Sequence, residues 1–262
     1  MRRAVHAEWT KLRSVPSSAW LVLAAVAFTV ALGAVVTAST NTRECPTPST
    51  CVHDLAKVSL TGVRVGQVAI VVLAVLVMTN EYATRLIQTT LTAEPRRLVV
   101  LATKAVVVVT ATMAAGALGV AGSLLAARGM LPGNGFTAAN GYAVLSLADE
   151  PTRRAAIGTV LYLGLVALLS LGVATIVRDT AGAITTVLAA LFAFPMLAMF
   201  VSDPRWHTRI EKYAPMDAGL AIQATRGLRG LPIGPWQGLG VLAAYAGAAV
   251  LVGAVLFRLR DA

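Results

Sequence analysis

The chain has 262 residues, of which 57% are hydrophobic and only 13% are charged. Soluble domains carry roughly a quarter charged residues, so this composition predicts a membrane protein. The net charge of +10 would suggest nucleic-acid binding in a soluble chain, but here the basic residues lie in short segments between apolar runs. Basic residues in such segments contact lipid headgroups and set the topology. We therefore expect membrane lipid, and no nucleic acid, as their partner.

The first stretch of the chain, MRRAVHAEWTKLRS, carries an apolar stripe. Val5, Trp9 and Leu12 lie at positions i, i+4 and i+7, and the basic residues lie off that stripe. This spacing predicts a short N-terminal helix that lies in the membrane interface. A simple positively charged flank is the alternative interpretation.

Six runs without a charged side chain follow along the chain. A helix needs about 20 mostly apolar residues to cross a bilayer. The runs cover residues 19–38, 65–80, 105–127, 155–177, 180–201 and 237–257. They predict an all-α polytopic membrane protein with six transmembrane helices, forming a single domain over residues 1–262. The density of basic residues in the shorter connecting segments predicts that both termini face the cytoplasm.

Cys45 and Cys51, the two cysteines of the chain, lie close together in the first polar segment. If that segment faces outward, they can form a disulfide; two unpaired thiols are the alternative. The three histidines are scattered, so no spacing typical of a metal site occurs. No lysine follows a glycine as a phosphate-binding P-loop requires, so we expect no bound cofactor and no ATP hydrolysis in this chain.

None of the six runs contains Asp, Glu, Lys, Arg or His. Ion-coupled transporters usually carry such residues within the membrane. Membrane-embedded hydrolases need acid–base groups or metal ligands there. The sequence therefore disfavours both classes.

A polar stretch, NEYATRLIQTTLTAEPRRLVVLATK, separates the second run from the third. When residues 81–94 are drawn as a helix, the apolar side chains fall on one half of the wheel. Pro95 then ends the helix. The pattern predicts an amphipathic helix on the cytoplasmic membrane surface, and an ordinary loop resting on lipid is the alternative.

This stretch resembles the exit of the second span in ABC-2 type transporter permeases, especially those of the actinobacterial type. The family pattern is similar to E-Y-x-T-x-x-I-x-x-T-L-x-x-x-P-R-R-x-x-x-L-x-x-K. The matching residues are Glu81, Tyr82, Thr84, Ile87, Thr90, Leu91, Pro95, Arg96, Arg97 and Lys104. Arg85 departs from the pattern, since glycine is usual there. The terminal stretches EWTKLRS and FRLRDA resemble the same family.

The resemblance implies a permease subunit in the bacterial plasma membrane, with a cytoplasmic coupling segment between the second and third spans. It implies export driven by a separate ABC ATPase subunit that binds ATP and Mg²⁺, and a pathway built with a second permease chain, either a second copy or a similar subunit. The uncharged runs favour a hydrophobic or amphipathic substrate. The coupling segment would comprise Glu81, Tyr82, Thr84, Arg85, Leu86, Ile87, Pro95, Arg96 and Arg97.

Different roles are expected within this segment. Tyr82, Leu86 and Ile87 are expected to anchor the helix. A second group is expected to meet the ATPase or lipid headgroups: Glu81, Arg85, Arg96 and Arg97. Two other classes stay open, namely an ion-coupled secondary transporter and a membrane scaffold or immunity protein without transport.

Overall fold

The computed structural model describes residues 2–42, 54–84, 86–93, 96–142, 145–201 and 203–259. Within these ranges the chain forms eleven α-helices. They are α1 (Arg2–Ser14), α2 (Pro16–Ser39), α3 (Leu55–Ser59), α4 (Val63–Ala83), α5 (Leu86–Ala93), α6 (Arg97–Met130), α7 (Glu150–Val177), α8 (Thr180–Phe200), α9 (Pro204–Tyr213), α10 (Pro215–Leu220) and α11 (Pro235–Leu259). Short 3-10 turns cover Leu131–Asn134, Ala138–Asn140, Ala221–Gln223 and Leu228–Gly230.

Six of the described helices are long and apolar enough to cross a membrane: α2, α4, α6, α7, α8 and α11. This confirms the prediction of an all-α polytopic membrane protein with six spans. Most of the helices extend past the predicted apolar runs. The largest extension is at α6, which begins at Arg97, eight residues before the predicted run.

The connection between α7 and α8 shows why these helices end where they do. Arg178 ends α7 in the left-handed region, with φ of 60°, so the chain turns sharply after Val177. Asp179 then caps α8, because its carboxylate accepts the backbone N–H of Gly182 at 2.7 Å. Two residues therefore suffice to reverse the chain direction.

Helix α7 lies at the centre of the bundle and packs against α4, α6, α8 and α11. Its buried side chains, among them Tyr162, Val166 and Leu171, belong to the main hydrophobic core. Helix α2 packs on α4 and α6 from the outside. It approaches α4 closely at Thr29, where Gly62 and Gly66 leave no side chain between the two backbones.

The two ends of the bundle carry different elements. We call the end that holds α1, α5 and the α7–α8 turn the proximal end. The distal end holds α3, α9, α10 and the 3-10 turns. Helix α10 is buried there against α11, α8 and α7, and Gly219 lies directly against the Tyr162 ring.

The amphipathic helix expected over residues 81–94 is present as two pieces. Helix α4 continues to Ala83, Thr84 forms a turn, and α5 begins at Leu86. The Thr84 hydroxyl donates to the Asn80 carbonyl at 2.6 Å, and this bond closes the last turn of α4. Arg85, Glu94 and Pro95 lie outside the described residues, as do Cys45 and Cys51.

Candidate functional site

Four charged side chains from three helices meet at the proximal end. Glu8 and Lys11 come from α1, Glu81 from the end of α4 and Lys104 from α6. Lys104 is 1% exposed, Glu81 6% and Glu8 7%, whereas the Lys11 side chain is 47% exposed. We call these four residues the ionic cluster.

Each ammonium group of the ionic cluster contacts both carboxylates. Lys104 Nζ lies 2.8 Å from Glu8 Oε2 and 2.7 Å from Glu81 Oε1. Lys11 Nζ lies 2.9 Å from Glu8 Oε1 and 2.8 Å from Glu81 Oε1. Two positive and two negative groups therefore balance, which is the condition under which buried charges are tolerated.

The cluster shifts the pKa of both α1 residues. Burial alone would raise the pKa of Glu8, but the adjacent Lys104 and Lys11 ammonium groups lower it below its ordinary range. Burial would lower the pKa of Lys11, but its hydrogen bonds to Glu81 and Glu8 raise it above the ordinary range. Both shifts stabilise the charged forms.

A cleft of about 300 Å³ opens beside the ionic cluster. It lies between α1, the start of α2, α4 and α6. Its walls are largely apolar, and hydroxyl groups of Ser14, Ser17 and Ser18 also line it. The apolar part of the lining comes from Leu12, Val15, Leu76, Val77, Leu86 and Val107.

Three further contacts join the remaining helices at this end. The Arg178 guanidinium lies over the Tyr82 ring, 5.0 Å from its centroid, and so links the α7–α8 turn to α4. The Thr180 hydroxyl donates to Thr79 Oγ1 at 2.9 Å. Arg97 Nη1 donates to the Phe257 carbonyl at 3.0 Å, which ties the start of α6 to the end of α11.

Helix α5 connects α4 to α6 in the chain and contacts both helices next to the ionic cluster. Lys11 Nζ approaches Thr90 Oγ1 of α5 at 3.5 Å. Polar side chains cover the outer surface of α5, where Gln88, Thr89 and Thr92 are exposed. Helix α5 therefore contacts α4 and α6 and also approaches α1 through Lys11.

The predicted site residues have different surroundings. Glu81 is buried in the ionic cluster, so it does not face outward as expected, because its carboxylate neutralises Lys104. Tyr82 is partly buried beneath Arg178. Thr84, Leu86 and Arg96 are exposed, whereas Arg97 is partly buried. Ile87 belongs to α5, and its side chain, like all of Arg85 and Pro95, lies outside the described part of the structure.

Glu8, Lys11, Lys104 and Arg178 contribute to the proximal end, and the sequence analysis placed none of them in the coupling segment, although Lys104 matched the family pattern. One signal could have revealed part of the cluster. Consecutive spans run in opposite directions, so Glu81 at the end of the second and Lys104 at the start of the third must lie at the same level. Opposite charges at that level predict an ion pair.

Among the described residues, no three His, Cys, Asp or Glu side chains form a group that could hold a metal ion.

Comparison with known proteins adds no assignment. No protein-family model matches the chain, and no curated protein matches it significantly.

Proposed function

We propose that this chain is the permease subunit of an ABC-2 type transporter, and that it exports a hydrophobic or amphipathic substrate. ATP and Mg²⁺ bind to a separate ATPase subunit, and two permease chains, identical or similar, form the pathway. The chain lies in the bacterial plasma membrane with both termini and the proximal end in the cytoplasm. The resemblance over residues 80–104 and the six membrane-crossing helices support this proposal.

One observation carries the proposal furthest: α5 lies between the second and third spans and touches the ionic cluster. The cluster joins α1, α4 and α6 through short contacts between ionised groups. A force on α5 would therefore reach three helices at once. Such a connection would let an ATPase subunit that pushes on α5 move all three helices.

The geometry changes the roles proposed for individual residues. The surface offered to the ATPase consists of the exposed side of α5, with Gln88, Thr89 and Thr92, together with Arg96. Glu81 does not contact the ATPase itself but transmits the motion inside the bundle, because it links α4 to Lys104 and Lys11. Tyr82, held under Arg178, passes the same motion to the α7–α8 turn.

The first test is purification of the chain from its native membrane in mild detergent, with mass spectrometry of co-eluting proteins. We expect a stoichiometric partner that carries a P-loop. The variant Arg96→Glu should lower the recovery of this partner at least tenfold. Reversing the charge of a residue at the proposed interface would bring like charges together, which costs several kcal/mol. Arg229→Glu is the matched control, since Arg229 is an exposed arginine at the distal end. Elution without any ATPase, with ATP and lipid present, would favour the scaffold or immunity function.

An ion-coupled secondary transporter is the second candidate, and one observation favours it. The apolar runs carry no Asp, Glu, Lys, Arg or His, yet α4 and α6 bury Glu81 and Lys104 near their proximal ends. Transport in ATP-depleted vesicles under an imposed proton or sodium gradient separates the two candidates. Uptake or release that follows the gradient would contradict the ABC-2 proposal.

A further inference from the structure

Helix α9 presents two different surfaces. His207, Ile210 and Glu211 are partly buried, and α9 contacts α8, α10 and α11. The exposed side chains include two aromatic and three basic residues: Arg205, Trp206, Arg209, Lys212 and Tyr213. At 100° per residue these five fall within about a third of the helical wheel. The outward surface of α9 is therefore both aromatic and cationic.

The basic and aromatic groups of this surface are in contact with each other. The Arg209 guanidinium lies 5.3 Å from the centroid of the Trp206 ring. Lys212 Nζ lies 5.5 Å from the centroid of the Tyr213 ring. Both rings are 57% exposed. Trp and Tyr favour the headgroup level of a bilayer, and basic side chains there are attracted to anionic lipid.

The position of α9 along the chain puts this surface beside the membrane boundary. Helix α8 ends at Phe200, and the last turn leaves Met199 85% and Phe200 82% exposed. Because these apolar side chains end a helix long enough to cross a membrane, the hydrocarbon of the bilayer is their expected environment. Asp203 then caps α9 by accepting the Arg205 N–H at 2.8 Å, so α9 begins directly after the span.

The acidic residue of α9 points away from the cationic surface. Glu211 Oε2 lies 3.6 Å from His207 Nδ1, and Glu211 lines a distal cavity together with Arg64 and Asp217. The outward sector of α9 therefore has three cations and no acid. This charge distribution is complementary to a layer of phosphate groups.

From this geometry we infer that α9 binds the anionic phospholipid headgroups of the leaflet at the distal end. The rings of Trp206 and Tyr213 rest at the headgroup level, and Arg205, Arg209 and Lys212 contact phosphate. This inference goes beyond the proposed transport function and does not depend on it.

Lipid binding at α9 also bears on α10. Only Ala214 separates the two helices, and its N–H donates to the Ile210 carbonyl at 2.7 Å. Helix α10 is buried between the spans, with Met216 and Leu220 in the main core. Because the two helices are directly connected, we expect lipid binding at α9 to restrict the movement of α10.

The test uses the full chain in phosphatidylcholine nanodiscs, with Trp9, Trp20 and Trp236 replaced by phenylalanine so that Trp206 is the remaining tryptophan. A minor fraction of spin-labelled phosphatidylglycerol or spin-labelled phosphatidylcholine is added to quench its fluorescence. Each basic residue near an anionic surface favours association by roughly fivefold. We expect Trp206 to prefer labelled phosphatidylglycerol at least fivefold, and added salt to remove that preference.

Two charge variants complete the test. Replacing Arg205, Arg209 and Lys212 with glutamine should reduce quenching by phosphatidylglycerol to the phosphatidylcholine level. The matched control replaces Arg153, Arg226 and Arg229, three exposed arginines at the same end, and should keep the preference. Equal quenching by both lipids in the unmodified charge background would overturn the inference. Absence of quenching by either lipid would also overturn it and would leave an acidic protein as the partner of α9. The salt response is measured on the protein with its native basic residues, so it still tests the inference if the triple variant fails to fold.

Discussion

The proximal and distal ends of the bundle are held together by different chemistry. At the proximal end, ionised side chains join α1, α4 and α6. At the distal end, α10 is held by close packing and by neutral groups. The Tyr162 hydroxyl donates to Gln67 Oε1, and the Gln67 amide approaches Met216 Sδ at 3.1 Å.

This difference determines what each end responds to. A buried ion pair depends on both partners, so the loss of one charge leaves the other uncompensated. Close packing depends on shape, so it is sensitive to added volume. We therefore expect the removal of a charge to have its largest effect at the proximal end, and the addition of side-chain volume to have its largest effect at the distal end.

The largest expected effect comes from removing one charge at the proximal end. Lys104→Met keeps most of the side-chain volume but leaves Glu8 and Glu81 with Lys11 as their only partner in the ionic cluster. The free energy of unfolding should fall by about 3–5 kcal/mol, because a buried charge is left unpaired. Unfolding in mixed micelles, followed by tryptophan fluorescence, measures this loss.

A double variant shows whether charge balance is the cause. Lys104→Met combined with Glu81→Gln leaves one carboxylate, Glu8, paired with Lys11. This variant should be more stable than Lys104→Met alone. If the two variants are equally destabilised, lost packing and not unbalanced charge explains the effect.

The fold was predictable to the level of the six spans, because apolar runs decide whether a segment can cross a membrane. The ends were less predictable. The second and third predicted runs were bounded by Glu81 and Lys104, but α4 continues past Glu81, and α6 begins well before Lys104. A helix tolerates a buried charge where tertiary contacts neutralise that charge. The hydropathy of one segment does not show which distant residues will make those contacts.

The candidate site was predictable only as a region. The sequence pointed to residues 80–104, but it oriented Glu81 outward. Its partners Lys104 and Glu8 are distant in sequence, and only the packing of α1 against α6 brings Glu8 to them. The apolar stripe of α1 suggested a helix resting on lipid, whereas the structure shows that α1 buries the charged residue Glu8.

A smaller effect is expected from added volume at the distal end. In Gly238→Ala the new methyl group would overlap the Ala218 carbonyl oxygen, so α10 must move away from α11. The cost should be about 1–3 kcal/mol. Hydrogen exchange over residues 215–223 should increase with it.

Gly240→Ala is the matched control, because a methyl group there meets nothing within 4 Å. It should stabilise α11 by about 0.5–1 kcal/mol, since alanine favours a helix over glycine. If both substitutions changed the free energy of unfolding equally, α10 would not be packed closely against α11.

The smallest effect should be a response to acid that has opposite signs at the two ends. The lysines beside Glu8 outweigh burial and hold its pKa below the ordinary range. Its contribution to stability is complete above the ordinary glutamate pKa and is lost as the pH falls through the depressed value. Burial, opposed by Arg64, raises the pKa of Asp217. That contribution is complete below the ordinary aspartate pKa and is lost as the pH rises through the raised value.

Hydrogen exchange, corrected for the intrinsic effect of pH on exchange rates, can follow both ends in one sample. As the pH falls from neutral through the carboxyl range, amides of α1 should lose protection while amides of α10 gain it. Glu8→Gln should flatten the response of α1, and Asp217→Asn should flatten the response of α10, because each substitution removes the carboxyl group that titrates. If the amides of α1 and α10 both lost protection as the pH fell, the two ends would open as one unit. Ends that open independently should respond in opposite directions, because the pKa of Glu8 is lowered and that of Asp217 is raised.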